Sequence, residues 1–266
     1  MTSGDFELFD NGARQAISVL TVDAVPVDVT LVVAQTAFMQ QVGSRLAAEL
    51  SRAVSRLRQV DRLRVITFAR NVRELLPLQP WSHWPAEPSA PDALEKLLKA
   101  EWLEEPRRAF EFDPQLNPWS LHDALLMALA KPPKLGRRHL IVGISLGVDS
   151  HSVLNDGEVF QTIAARSDAL MHVVLAKPRI GGQLVEALHM RYPRLVITAA
   201  AEATGGQVHE FDPVGALRRV LDAHRQSYLL QYTLTGVPPH GWHDVVVRTP
   251  KFPNYTVRAR KGYQGR

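Results

Sequence analysis

Apolar and polar positions change period along this chain, and the changes predict an order of elements. Residues 5–20 alternate in two short stretches on either side of Asp10-Asn11-Gly12. That is a β-hairpin pattern, because Asn-Gly accepts the positive φ of a tight turn. Residues 27–33 form a nearly unbroken β-branched run, as in a strand buried on both faces of a parallel sheet. Across residues 42–63, Leu46, Leu50, Val54, Leu57 and Val60 recur at three and four, with Arg45, Arg52 and Arg56 opposite. This spacing predicts an amphipathic helix with a solvated arginine face. Strands follow at 63–68, 139–144, 169–175 and 207–211, with an edge hairpin returning along 71–78. Helices are expected at 121–130, 159–166, 182–191, 196–203 and 213–225, the last with Asp212 as N-cap and Pro213 in its first position. Beyond it, residues 228–234, 242–248 and 255–260 alternate between turn clusters rich in Gly and Pro, which predicts an antiparallel meander.

Strands alternating with amphipathic helices argue an α/β fold with a doubly wound, mostly parallel Rossmann-like sheet, assigned to residues 27–226. An isolated amino-terminal hairpin would be of marginal stability, so it is expected to pair with the carboxy-terminal strands. Residues 1–26 and 227–266 then make one small antiparallel β subdomain. Residues 77–118 are an excursion rich in Pro and Trp, with a helical island at 92–103 carrying Leu94, Leu97 and Leu98.

The element order and three strings resemble the von Willebrand factor A (VWA)-like fold, and more closely a bacterial VWFA-related family. The strings are Asp5-Phe6-Glu7-Leu8-Phe9-Asp10-Asn11-Gly12, Thr204-Gly205-Gly206, and the ending Tyr228-Leu229-Leu230-Gln231-Tyr232 with Val257-Arg258-Ala259-Arg260-Lys261-Gly262-Tyr263. The resemblance implies a binding or structural module and a metal-ion-dependent adhesion site. In that site an Asp-x-Ser-x-Ser, a Thr and an Asp from three loops hold a divalent cation. This sequence departs from the pattern. Ala34 stands at the aspartate position, Thr36 and Phe38 at the serines, Trp119 at the threonine, and Ser145-Leu146-Gly147 where Thr-Asp-Gly is usual. A hard cation needs several oxygen ligands at once, so the expectation is a degenerate site with no metal and no cofactor.

Two surfaces are candidates for a partner protein. One is the degenerate face with Thr36, Phe38, Trp119, Ser120, Leu146 and Asp149; the other is the excursion with Trp81, Trp84 and Trp102, a residue type enriched at interface hot spots. A shifted metal site from Thr36, Ser120, Asp123, Asp149 and Ser150 and a hydrolase-like use of His122, Asp123 and Asp149 are the competing readings. Against an enzyme stand the lack of a nucleophile elbow, of a phosphate-binding glycine loop and of any metal-spaced histidine pair. The Gly205-Gly206 pair reads as a turn requiring positive φ.

Composition narrows the rest. The 266 residues carry no cysteine, which removes disulfides, thiolate zinc sites and cysteine nucleophiles. A formal charge of +4 over this length gives no cationic stripe, so nucleic acid is not an expected partner. No stretch is long and apolar enough to enter a bilayer as a spanning helix. Met1 to Gly4 run almost at once into a strand-like segment, as in a chain cut downstream of a signal peptide. The sequence does not fix the compartment; a periplasmic or secreted location follows only if a signal peptide precedes this chain.

Overall fold

The computed structural model describes residues 1–21, 25–35, 37–80, 94–96, 98–99, 119–130, 136–176, 179–180, 183–184, 191–210 and 215–265. In chain order the strands and helices are β1 (Glu7–Asp10), β2 (Ala13–Gln15), β3 (Ile17–Thr21), β4 (Val27–Ala34), α1 (Ala37–Val54), β5 (Arg62–Phe68), β6 (Val72–Pro80), α2 (Leu121–Leu129), β7 (Arg138–Ser145), α3 (Gly157–Arg166), β8 (Ala169–Leu175), β9 (Arg179–Ile180), β10 (Gln183–Leu184), α4 (Arg191–Ala203), β11 (Val208–His209), α5 (Ala216–Arg225), β12 (Tyr228–Tyr232), β13 (Gly241–Arg248) and β14 (Gly262–Gly265).

The main sheet has six strands in the order β11-β8-β7-β4-β5-β6. All neighbours are parallel except β6, which returns antiparallel along β5 as an edge. Every residue of β4 is buried, as its nearly unbroken β-branched run requires at the centre of a sheet flanked by helices. Its one carboxylate, Asp28, lies at the start of the strand, where Arg62 and Arg137 both donate to it. Burial alone would raise the Asp28 pKa, but the two guanidinium groups outweigh it and hold the carboxyl below its ordinary value. The core runs through β4, β5, β7 and β8 into α1, α2, α4 and α5.

Several boundaries differ from the sequence expectation. The first helix spans Ala37–Val54 rather than 42–63. It stops because Asp61 organises a turn, accepting from the backbone N–H of Arg58 at 2.8 Å and of Val27 at 3.0 Å. Leu57 stays buried and thereby extends the helical periodicity past the helix, while Val60 is exposed. Where a helix over 182–191 was expected, Gln183–Leu184 instead pairs antiparallel with Arg179–Ile180. The helix expected at 213–225 is described from Ala216, and Gly215 is its N-cap; Asp212 lies outside the described residues. Leu94 and Leu98, in helical residues of the excursion, are fully buried.

The chain ends do pair with each other. A four-stranded antiparallel sheet runs β14-β13-β1-β2, and β3 pairs antiparallel with β12. The Asn11-Gly12 turn has positive φ at both residues, 45° and 81°. The carboxy-terminal strands are not a simple meander, because β12 and β13 pair with strands from the other end of the chain rather than with each other. Residues 255–260 form no strand, and the last strand is Gly262–Gly265.

The three resemblance strings meet where this antiparallel unit joins the main sheet. Asp10, fully buried, accepts from Tyr232 at 2.6 Å, Tyr263 at 2.8 Å and His243 Nδ1 at 2.6 Å. Thr204-Gly205-Gly206 ends α4. Gly205 has φ 87°, and a Cβ there would come within 2.6 Å of the Arg260 backbone nitrogen. A Cβ on Gly206 would fall 1.8 Å from the Met171 carbonyl oxygen, so these glycines allow two backbone segments to touch α4's end.

Candidate functional site

The loops at the carboxyl ends of the parallel strands are where an open α/β sheet places its ligands. Ala34 closes β4 and is buried; Gln35 follows, with its backbone N–H donated to Phe68 O at 2.7 Å. Gln35 is 3% exposed, and among the described residues neither its amide nitrogen nor its oxygen has a hydrogen-bond partner. Thr36 and the side chain of Phe38 lie outside the described residues, as do Trp81, Trp84 and Trp102.

Trp119 enters this end of the sheet as a buried residue tied through its backbone. Its N–H donates to Ser150 Oγ at 3.0 Å, and its carbonyl accepts from Ser150 and His151. Ser120 is also buried and donates from Oγ to the Arg70 carbonyl at 2.7 Å. Although Ser120 is the N-cap residue of α2, its hydroxyl makes no capping bond. The orphan N–H groups of the helix are satisfied from a neighbouring loop instead. Asp149 Oδ1 accepts from the His122 N–H at 3.0 Å, and Ser152 Oγ accepts from the Asp123 N–H at 3.1 Å. Ser152 Oγ in turn donates to Asp149 at 2.5 Å.

Asp123 completes a reciprocal lock. Its two carboxylate oxygens accept from Val153 N–H at 2.8 Å and Leu154 N–H at 3.2 Å. The β7–α3 loop therefore caps α2, and α2 holds the loop. The loop ends on Asp156, which caps α3 by accepting from Glu158 and Val159. Held this way, the loop exposes Ser150, His151 and Asn155, and Val153 is 93% exposed.

His122 does not complete an acid/base arrangement. Its Nδ1 is 3.6 Å from Asp149 Oδ2, beyond a hydrogen bond, and among the described residues neither ring nitrogen has a hydrogen-bond partner. The ring stacks on Phe160 at 4.9 Å, inside the protein. Leu146 is buried in the core cluster, as is Trp119, so these two side chains form the floor of this end and not its exposed surface. Among the described residues, no three His, Asp or Glu side chains converge in a metal-binding group.

Sequence reasoning named Asp123, Asp149 and Ser150 but missed Ser152, Val153 and Gln35. Ser152 had a signal in the run of small polar residues Asp149-Ser150-His151-Ser152, a composition suited to turns that cap a neighbouring helix. Gln35 is the polar residue that closes an apolar strand.

The strand order, the helices flanking the sheet and the position of these loops can be set against known structures. The von Willebrand factor type A structure from Catenulispora acidiphila is 13% identical, with a TM-score of 0.51 over 84% of this chain and 49% of that one. The chain has a von Willebrand factor A-like fold. Other structures sharing the VWA-like fold include proximal thread matrix protein 1 from the mussel byssus with a zinc-occupied MIDAS motif, 10% identical, with a TM-score of 0.50 over 81% of this chain and 49% of that one. The human COPII-coat protein Sec24c is 9% identical, with a TM-score of 0.51 over 80% of this chain and 34% of that one. The chain thus spans half or less of these structures. No protein-family model matches it, and neither does any curated protein. Among the described residues, no helix is long and apolar enough to cross a membrane.

Proposed function

We propose that this chain is a protein-binding module of VWA type whose contact face is the loop end of the sheet and whose binding needs no metal ion. The observation that carries the reading is the reciprocal lock. The carboxylates at this end, Asp123 and Asp149, are both spent on backbone N–H groups and on Ser152. Ala34 offers no ligand where the adhesion pattern has its aspartate, and Ser120 and Ser150 are engaged with backbone groups. This donor set does not fit a hard divalent ion, whose dehydration must be compensated by several free oxygen ligands. The same lock gives a partner a preformed surface, since the loop that displays Val153 is already ordered and little conformational entropy remains to be lost on binding. Thr36, Phe38 and Asp149 are proposed as further residues of that face, and Trp119, Ser120 and Leu146 as its buried support.

A photocrosslinking residue placed at Val153, in the cells that make the protein, tests this. A discrete crosslinked partner is expected from position 153 but not from Val60, an exposed site in the α1–β5 turn, and chelator leaves the yield unchanged. Equal crosslinking from both positions, or loss of the product with EDTA, overturns the reading.

A further inference from the structure

Residues 255–260 have the composition of a strand without its pairing. Tyr255, Val257 and Ala259 alternate with Thr256, Arg258 and Arg260. Yet among the described residues the backbone from Thr256 to Arg260 makes no backbone hydrogen bond. A segment of this kind usually moves freely, but here both ends are fastened. At one end Tyr255 N–H donates to Phe252 O at 3.0 Å, and the two rings stack at 5.2 Å. At the other end the Arg260 guanidinium donates to the carbonyls of Ala165 and Ser167 and pairs with Asp168 at 3.4 Å. Lys261 N–H reaches Ala203 O, and the Lys261 carbonyl accepts from Val245. Between these anchors Tyr255 is 61% exposed, Val257 is 37% exposed, and Arg258 is exposed.

We propose that Thr256–Arg258, the exposed stretch before Ala259 and Arg260 pack against Gly205 at the end of α4, is a docking edge that takes an extended acidic segment of a partner protein by strand addition. Unpaired backbone groups on an ordered, strand-patterned segment supply the main-chain hydrogen bonds of that mode, and alternate side chains such as Val257 supply the contacts that select the peptide. The charge decides the occupant. Two copies of this edge paired with each other would bring arginines together, which is unfavourable between opposed strands, whereas a carboxylate opposite Arg258 is favourable. This surface belongs to the antiparallel unit and its use does not depend on the loop end of the main sheet.

The test is amide hydrogen exchange on the full chain with two synthetic hexapeptides, one alternating valine with glutamate and one alternating valine with lysine. The glutamate peptide is expected to slow exchange at 256–258 by roughly tenfold or more, and the lysine peptide to leave it unchanged. Val257→Pro, which removes a backbone donor at an exposed position, should abolish the protection without lowering the melting temperature; Arg258→Glu should reverse the peptide preference. The proposal fails if the glutamate peptide at millimolar concentration leaves these amides unchanged, or if both peptides protect them equally. It fails also if the peptide-free protein is a dimer with the same amides already slow, since a second copy then covers the edge.

Discussion

Asp10 and His243 sit 233 residues apart in the chain and 2.6 Å apart in the fold, both with no exposed side-chain surface. The carboxylate can only accept, so His243 donates from Nδ1, and the hydroxyls of Tyr232 and Tyr263 fill the other oxygen. Burial works to raise the Asp10 pKa, but these donors outweigh it and keep the carboxyl ionised below its ordinary range. Removing one partner of such a buried set leaves the others uncompensated. Asp10→Ala should therefore cost about 3 kcal/mol or more in urea unfolding, and Tyr263→Phe about 1 kcal/mol. Equal, small losses from both would show that the carboxylate is not the centre of the set.

Acid should weaken the fold through histidines held neutral. Burial pulls His139 down to about 4, with Asp28 opposing and Arg64 and Arg62 assisting, while its Nε2 lies 2.9 Å from Thr30 Oγ1. Burial and the nearby charges of His209, His224 and Arg258 take His172 to about 3. Unfolded histidine titrates near about 6.5, so between these values the unfolded chain binds more protons than the native one. Stability is then complete above about pH 6.5 and falls as the pH drops toward 4. The urea midpoint measured across this range should decline, and His139→Gln should make the decline shallower. An unchanged slope in that variant contradicts the assignment.

How much of this could be read from the sequence depends on where each constraint comes from. β8 was legible to the residue, because an apolar run interrupted only by His172 and preceded by Asp168 reads as a buried strand in an alternating α/β chain. The first helix was legible in type but not in extent, since Leu57 keeps the apolar period although Asp61 has already ended the helix. Residues 255–260 have a strand's alternation, but the ladder with β13 stops at Lys261 and the backbone just before it lies against Gly205 instead. At the loop end, Asp123 and Asp149 were legible as polar residues in the right place. Their lock was not, because it depends on two segments about 30 residues apart meeting at one helix terminus.

Buried polar groups without partners make a separate prediction. Among the described residues, the Gln35 amide and both His122 ring nitrogens find no hydrogen bond to offset their desolvation. Gln35→Met should raise stability by about 1–2 kcal/mol, and His122→Phe, which keeps an aromatic ring against Phe160, should not lower it. A marked loss in either variant, read by thermal melting, would reveal a polar interaction at that position.

The lock itself predicts a local effect. Asp123→Ala removes the acceptor for Val153 and Leu154, so exchange at those amides should accelerate while the β4 and β7 amides keep their protection. The expected cost is about 1–2 kcal/mol. Uniform acceleration across the sheet would mean that Asp123 supports the whole domain rather than the loop.

The most direct test of the central claim is a thermal melt of the purified protein in EDTA and then in millimolar Mg²⁺, Mn²⁺ or Ca²⁺, because an ion that binds only the native state must raise its melting temperature. An unchanged melting temperature with each ion is the predicted result; a saturable rise of several degrees that Asp123→Ala or Asp149→Ala abolishes would contradict the account and return the loop end to ion-dependent adhesion.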